Sequence, residues 1–271
     1  MKTRIITGGL MGLFFIPIFI FGGWILYSVL GLMSVFASYE MLNMVKTKTV
    51  VPKSVFVFVL AYNLLFYLVV IYSAEQGIIL DVVLPLLLGL ILLGSLLMVF
   101  IEDMSFDLFA KSILAMMYPV LGFVSLAIIR EESLAFLGLL FVITVSTDIF
   151  AYFVGVSIGK HKLAPKISPK KSIEGSIGGL VFAVLFSILY IFLINLGNHS
   201  IDLSFWMVGL LAMLASVMAQ VGDLVASKMK RTYGIKDFSQ IFPGHGGIMD
   251  RFDSSLFAAM IVVALVVLEL I

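Results

Sequence analysis

Residues 80–101, "LDVVLPLLLGLILLGSLLMVFI", form an apolar run with a single charged side chain, Asp81. As a helix this run is long enough to cross a hydrocarbon layer of ~30 Å. Similar runs follow one another along a chain that is 62% hydrophobic and 12% charged. A soluble fold would need more polar surface, and a membrane β-barrel would show short alternating segments. The sequence therefore predicts an all-α, polytopic integral membrane protein.

Polar breaks divide the apolar sequence into nine predicted transmembrane helices, packed as one bundle. Their ranges are 5–22, 24–45, 54–73, 80–101, 106–129, 133–158, 175–196, 204–227 and 251–271. The first two share one apolar stretch broken by Gly22 and Gly23, which is compatible with a kinked helix or a tight helical hairpin. No signal-peptide cleavage site follows the basic amino terminus, so a retained span is expected.

Neither repeats nor long linkers divide the chain, and we predict a single integral domain covering residues 1–271. The first five predicted spans have few polar residues. We therefore expect residues 1–130 to be mainly an apolar scaffold and residues 131–271 to be the catalytic half. The two long polar loops of that half, about 159–174 and 228–249, are the places to look for chemistry.

The distribution of lysine and arginine predicts the orientation in the membrane. With nine spans, the basic clusters lie on one side, and the opposite loops are mainly acidic. The basic residues are Lys2, Arg4, Lys46, Lys48, Lys53, Lys160, Lys162, Lys166, Lys170, Lys171, Lys228, Lys230, Arg231 and Lys236, and the opposite loops contain Glu75, Asp81, Arg130, Glu131, Glu132 and Asp202. The positive-inside rule places the amino terminus and both long loops in the cytoplasm, and the carboxyl terminus outside.

Asp148 lies inside the sixth predicted span, in "ITVSTDIFAYFVG", directly after Ser146 and Thr147. An ionisable group at that depth is costly unless it faces a partner or a polar cavity, so a functional role is the default interpretation. The alternative is an aspartate whose charge is satisfied by neighbouring hydroxyls and a lysine for packing alone.

The loop "GKHKLAPKISPKKSIEGSIGG", residues 159–179, contains five lysines. With a compact turn at 168–171 and glycines around Glu174, it is predicted to be a flexible cationic surface that could hold phosphates. The alternative is a loop that only sets the topology or contacts anionic lipid head groups.

A third polar region surrounds the start of the last predicted span. On a helix, Asp223, Ser227 and Lys230 share one face, because they are spaced at i, i+4 and i+7. Asp250 and Asp253 are also neighbours on one helical face. The preceding glycines, Gly244, Gly246 and Gly247, allow the backbone to approach a ligand closely, and a helix amino terminus attracts anions.

Carboxylates from two helices beside a cationic loop suit a magnesium ion, which binds oxygen ligands and substrate phosphates. The chain has no cysteine, so a metal ion would be held by oxygen or imidazole. The alternative is a charged helix cap in which Asp250 and Asp253 pair with Arg251 and Lys230.

The segment "SKMKRTYGIKDFSQIFPGHGGIMDRFD", residues 227–253, resembles the signature of the phosphatidate cytidylyltransferases, also called CDP-diacylglycerol synthases. The upstream segments around Asp148 and residues 159–179 are similar to that family as well, so the resemblance covers about residues 147–253. The matching residues are Ser227, Lys230, Arg231, Lys236, Asp237, Pro243, His245, Gly246, Gly247, Asp250, Arg251 and Asp253.

The resemblance implies a magnesium-dependent reaction of CTP with phosphatidic acid that gives CDP-diacylglycerol and pyrophosphate. It implies that Asp223 and Asp250 bind metal, with Asp253 and Asp148 as further ligands or water-holding groups, and it leaves room for a second metal ion. Ser168, Lys170, Lys171 and Glu174 would bind CTP, and Lys230, Arg231, Lys236 and His245 would bind phosphates. Ser227, Gly246, Gly247 and Arg251 complete the expected site.

The expected partners are CTP, phosphatidic acid and membrane lipids, with no nucleic acid, and a homodimer is compatible with the sequence. The expected location is a bacterial inner membrane, with the active site facing the cytoplasm. Two other functions stay open. A CTP-dependent polyprenol kinase would transfer the terminal phosphoryl group, and an ion-coupled transporter would use Asp148 and Asp223 as ion sites. Transporters usually show polar positions in two matching halves, whereas this chain concentrates them in one.

Overall fold

The computed structural model describes residues 2–197 and 203–268, which contain nine helices and one antiparallel pair of strands. The elements are α1 (Lys2–Phe21), α2 (Gly23–Lys46), α3 (Lys53–Glu75), α4 (Ile79–Phe100), α5 (Phe106–Glu132), α6 (Leu134–Ile158), β1 (Lys162–Ala164), β2 (Ser168–Ser172), α7 (Ile173–Asn195), α8 (Phe205–Tyr233) and α9 (Ile248–Val267). Each predicted span corresponds to one of these helices. Asp202 and the last three residues of the predicted span 251–271 lie outside the described residues.

Seven helices, α2 to α8, are long and apolar enough to cross a membrane. The apolar part of α1 that the structure describes, residues 6–21, is shorter, and α9 is not among the seven. The prediction of an all-α chain with several helices that can span a membrane is therefore confirmed. Membrane crossing by α1 and α9, and the orientation of the termini, stay predictions.

The break between α1 and α2 is at Gly22, whose φ is 67°, and φ of the next residue, Gly23, is 58°. Both values lie in the left-handed region, which glycine adopts without the steric cost that a side chain imposes. The shared apolar stretch therefore forms two separate helices.

The loop after α6 differs from its prediction as a flexible surface with a compact turn at 168–171. It is a β-hairpin in which β1 and β2 pair antiparallel, Lys162 with Ser172 and Ala164 with Ser168. Residues 168–171 therefore belong to an extended strand. Period-two alternation did not reveal this strand, because its two faces differ little in polarity.

The second loop is shorter than predicted, because α8 continues to Tyr233 and does not end near residue 227. Lysine, methionine and arginine are good helix formers, so the helix continues where the apolar run stops. Lys228, Lys230 and Arg231 are consequently helical, and the connection to α9 begins at Gly234.

The described chain groups into two compact units. The first comprises residues up to Ile128 together with Thr232–Arg251, and its buried core is contributed mainly by α2, α3 and α5. Gly31 of α2 faces the Tyr67 ring of α3, where a Cβ would lie 2.9 Å from the nearest ring atom. The buried Asn63 amide accepts from Ser34 at 3.0 Å and donates to Ser38 at 2.8 Å. These bonds satisfy polar groups inside the helical layer.

The second unit comprises Ile129–Arg231 and Phe252–Ile271. Its helices α6 and α7 approach closely at glycines: a Cβ at Gly179 would lie 3.1 Å from the Ala151 Cβ, and one at Gly175 would lie 3.0 Å from the Gly155 Cα. Small residues of this kind allow helix backbones to pack closely in a membrane. The rings of Phe150 and Phe182 stack between the same helices, with centroids 4.1 Å apart. The α6–α7 pair thus forms a tight platform from which the hairpin extends.

Candidate active site

Three aspartates of the second unit come from three different helices and interact electrostatically. Asp148 is on α6, Asp223 on α8 and Asp253 on α9, and each is within electrostatic range of the other two. Lys171 of β2 attracts Asp148, and Lys230 of α8 attracts Asp253. The structure thus brings together five charged residues from four different elements. We call Asp148, Lys171, Asp223, Lys230 and Asp253 the acidic cluster.

An ion pair joins the hairpin to this cluster. The Lys171 ammonium contacts the Asp223 carboxylate, and both side chains are about a quarter exposed, at 28% and 27%. The Ser227 hydroxyl donates to the same carboxylate over 3.3 Å, as expected for residues one helical turn apart. Lys170, the neighbour of Lys171 on β2, is exposed. Lys171 therefore lies at the carboxylates, and Lys170 is free to meet a ligand from solvent.

Glu174, in the first turn of α7, holds the start of the hairpin. Its carboxylate accepts from the backbone N–H of Lys160 at 3.1 Å and of His161 at 3.2 Å. It also contacts the His161 ring at 2.6 Å. The hydroxyl of Ser172 caps the same helix end by accepting from the Gly175 N–H at 3.1 Å. Glu174 thus has a clear architectural role, and its predicted contact with CTP stays a prediction.

Two polar contacts near the cluster connect α8 to α6 and α7. The Thr147 hydroxyl donates to Ser216 at 2.8 Å, and the Ser176 hydroxyl donates to the side-chain carbonyl of Gln220. Gln220 returns a bond from its amide to the Ser176 carbonyl at 3.3 Å. Sequence analysis missed Gln220, although a glutamine inside an apolar run one turn before Asp223 is itself a signal. These bonds orient the faces that carry Asp148 and Asp223.

The loop before α9 belongs to the first unit, and Asp250 organises it. One oxygen of its carboxylate accepts from the backbone N–H of Phe238 at 2.8 Å and of Gly247 at 3.0 Å. Gly246 has φ of 84°, and a Cβ there would lie 2.7 Å from the same oxygen. Gly246 is therefore needed both for its backbone conformation and for the close approach of Asp250.

A second acid of the first unit, Glu40 of α2, also contacts this loop and was missed by the sequence analysis. Its two oxygens accept from the backbone N–H of Ile248 at 3.0 Å and of Met249 at 2.9 Å, and one of them accepts from the Ser239 hydroxyl. The signal was available, because an acid inside an apolar run is the same feature that identified Asp148.

The remaining predicted site residues lie on or beside these elements. His245 is half-buried next to Gly8 of α1, and its Nδ1 is buried and has no hydrogen-bond partner within the described chain. Ser168 is half-buried at the start of β2. Three cationic side chains are exposed: Arg231, Lys236 and Arg251.

The donor set of the acidic cluster fits a magnesium ion. The described residues contain no group of three or more histidine, aspartate or glutamate side chains already arranged around a metal position. Magnesium does not need such a cage, because it commonly binds one or two carboxylates and takes its other ligands from substrate phosphates and water. Asp223 and Asp253 supply hard oxygen donors of this type.

Comparison with known proteins shows a match over nearly the whole chain. Residues 2–269 match the model of the cytidylyltransferase family. The chain is 32% identical over 262 residues to the phosphatidate cytidylyltransferase of Staphylococcus haemolyticus (strain JCSC1435), with 95% of each chain covered. It is 32% identical over 257 residues to the phosphatidate cytidylyltransferase of Staphylococcus aureus (strain COL), again covering 95% of each chain. The resemblance seen in residues 147–253 is thereby confirmed and extends into the amino-terminal half.

Proposed function

Because this chain belongs to the cytidylyltransferase family, we propose that it makes CDP-diacylglycerol from CTP and phosphatidic acid. An oxygen of the phosphatidate phosphate forms a bond to the α-phosphorus of CTP. The bond between that phosphorus and the oxygen bridging to the β-phosphorus breaks, and pyrophosphate leaves with the electron pair. The nucleophile is already an anionic oxygen, so no serine or cysteine nucleophile is needed.

The observation that carries this proposal is the acidic cluster, with Lys171 paired to Asp223 beside Asp148 and Asp253. Transfer of a cytidylyl group between two anionic substrates depends more on charge neutralisation and alignment than on proton transfer. Carboxylates that can hold a cation, next to lysines that can hold phosphate oxygens, provide both requirements.

Asp223 and Asp253, with Asp148 beside them and Asp250 at the start of α9, are the residues that would hold magnesium. When bound, the ion supplies a positive charge that stabilises the triphosphate and the leaving pyrophosphate. Lys171, which contacts Asp223, would bind a phosphate oxygen of the substrate. A second ion would need further oxygen ligands from the substrate.

The remaining predicted residues divide between the two substrates. Ser168 and Lys170 on the hairpin are proposed to bind CTP, together with Glu174. Lysine, arginine and histidine side chains near α8 and α9 are proposed to bind phosphate oxygens, since ionised donors make the strongest hydrogen bonds to phosphate. These are Lys230, Arg231, Lys236, His245 and Arg251, with Ser227, Gly246 and Gly247 allowing close approach.

The seven apolar helices and the bacterial relatives support an integral protein of the bacterial inner membrane. The proposed orientation follows the positive-inside bias: the hairpin and the loop before α9 face the cytoplasm, where CTP is available. A single catalytic domain, a requirement for membrane lipids and a homodimer remain parts of the proposal.

The fate of label in CTP tests the reaction. Purified protein is given phosphatidate, magnesium and CTP labelled at either the α- or the γ-phosphate. We expect α-label in the lipid product and γ-label in pyrophosphate. Recovery of γ-label in the lipid, with α-label in soluble CDP, would instead identify a lipid kinase. Absence of covalent transfer of either label would reject both enzymes.

A further inference from the structure

Glu40 is a buried acid that the proposed reaction does not use. It lies near the end of α2, within the half of the chain expected to be an apolar scaffold, and its relative exposure is 1%. A buried carboxylate is costly unless hydrogen bonds compensate the lost hydration. The position of its partners therefore indicates what this acid does.

Within the described part of the chain, the three hydrogen-bond donors to Glu40 come from the loop and helix start that carry Asp250. Ile248 and Met249 are the first two residues of α9, and their N–H groups have no acceptor within that helix. A carboxylate at this position satisfies both donors and complements the positive end of the helix dipole. The Ser239 hydroxyl ties the earlier part of the loop to the same carboxylate. Glu40 therefore acts as a helix cap supplied from about 208 residues away.

The glycine at 247 fits this contact. A Cβ at Gly247 would collide with the Glu40 carboxylate, whose carbon would lie only 2.6 Å away. The φ of Gly247 is not positive, so the backbone itself would accept alanine. The absence of a side chain at this position therefore serves the approach of Glu40.

The two carboxylates hold the same segment from different directions. Asp250 binds the N–H groups of Phe238 and Gly247, and Glu40 binds those of the next two residues, Ile248 and Met249. The two acids also repel each other electrostatically. A displacement of the α9 start would consequently move Asp250 together with the backbone that it organises.

We propose that Glu40 is a positioning residue that fixes the start of α9, and with it Asp250, in the geometry that cytidylyl transfer requires. This inference rests on the proposed function for its catalytic part. The structural part, that Glu40 holds residues 238–250, is independent of the reaction.

The test compares full-length wild type with Glu40→Gln in hydrogen exchange and in turnover. Glutamine has the same size but offers one acceptor, and its amide N–H would face a backbone N–H. We expect faster exchange in residues 238–250, at least a tenfold fall in kcat and a rise in the magnesium concentration needed for half-maximal rate. The KM for CTP should change less. Glu75→Gln, an exposed acid at the end of α3, is the matched control and should resemble wild type.

The outcomes separate the two parts of the inference. Unchanged exchange in residues 238–250 of Glu40→Gln would overturn the structural part, that Glu40 holds this segment. Faster exchange with wild-type kcat and magnesium dependence would overturn the positioning role. If wild type makes no CDP-diacylglycerol, the proposed function fails, and the exchange data still decide whether Glu40 holds the segment.

Gly247→Ala, which keeps Glu40, leaves the inference testable if Glu40→Gln folds poorly, and a double-variant cycle then tests the contact itself. Gly247→Ala should disturb the segment because its Cβ meets the Glu40 carboxylate, whereas the same change in a Glu40→Ala background meets no carboxylate. The double variant should therefore exchange at a rate within about threefold of Glu40→Ala alone, because contacting residues are not additive. Additive effects of the two changes on exchange would contradict the contact.

Discussion

Gly222→Ala is expected to disturb the acidic cluster by separating α8 from α9. A Cβ at Gly222 would lie 2.9 Å from the Cβ and 3.1 Å from the Cγ of Phe257, and it would also collide with the carbonyl oxygen of Asp253. That carbonyl is helix backbone and cannot rotate away as a flexible side chain would. The helices must therefore move apart beside Asp223.

The expected size follows from two opposing effects. Overpacking a tight contact costs about 1–3 kcal/mol, and alanine gains about 1 kcal/mol over glycine in a helix interior. Gly209→Ala, on the same helix, is the matched control, because its Cβ would lie 3.9 Å from the nearest atom, in Val184. It gains the helix preference without the collision. The two variants should therefore differ by about 1–3 kcal/mol, or about 2–12 °C in the thermal midpoint for a chain of this size.

Activity gives the sharper measurement. A shift of about 1 Å in a catalytic group can cost on the order of 100-fold in rate, so Gly222→Ala should lose far more turnover than stability. The assay follows CDP-diacylglycerol formation at a temperature at which both purified variants remain folded. If Gly222→Ala matched Gly209→Ala in both thermal midpoint and turnover, the close α8–α9 packing would not constrain the cluster.

Three further predictions concern charge. Asp250→Asn should keep the loop folded, because the amide oxygen can still accept the two backbone N–H groups. It should lower turnover on the order of 100-fold or more at low magnesium. Near-normal turnover would show that Asp250 is not a metal ligand. Lys171→Ala should raise the KM for CTP and lower kcat in steady-state kinetics, whereas Lys46→Ala, in another basic region, should change neither. Equal effects of the two changes would indicate that the lysines act only through the overall surface charge. Glu174→Ala should speed hydrogen exchange at His161 and its neighbours. Unchanged exchange would contradict the role of Glu174 in holding the start of the hairpin.

The helices could be predicted because each apolar run must satisfy its backbone internally in a membrane, and only helices achieve this in single segments. The end of α8 could not be predicted, because hydropathy marks the edge of the apolar layer and not the end of the hydrogen-bonded helix. The hairpin was missed because its short strands have lysines on an exposed surface and no apolar face.

Within the candidate site, the sequence identified residue types that suit phosphate and metal, but not most of their partners. The pairing of Lys171 with Asp223 depends on a strand that was predicted as a turn. The partners of Glu40 could not be predicted, because they lie about 200 positions later and a single acid near the end of an apolar run does not reveal them. Long-range pairing of this kind is a property of the folded chain.

The order of residues around the acidic cluster has a consequence for biosynthesis. Asp148 leaves the ribosome first, Lys171 follows 23 residues later, and Asp223 and Asp253 come last. At about 5–20 residues per second, the lysine follows Asp148 within roughly 1–5 seconds. The cation that attracts both Asp148 and Asp223 is thus made before the second acid. A nascent chain inserted in this order never holds two of these carboxylates side by side without a compensating lysine already present.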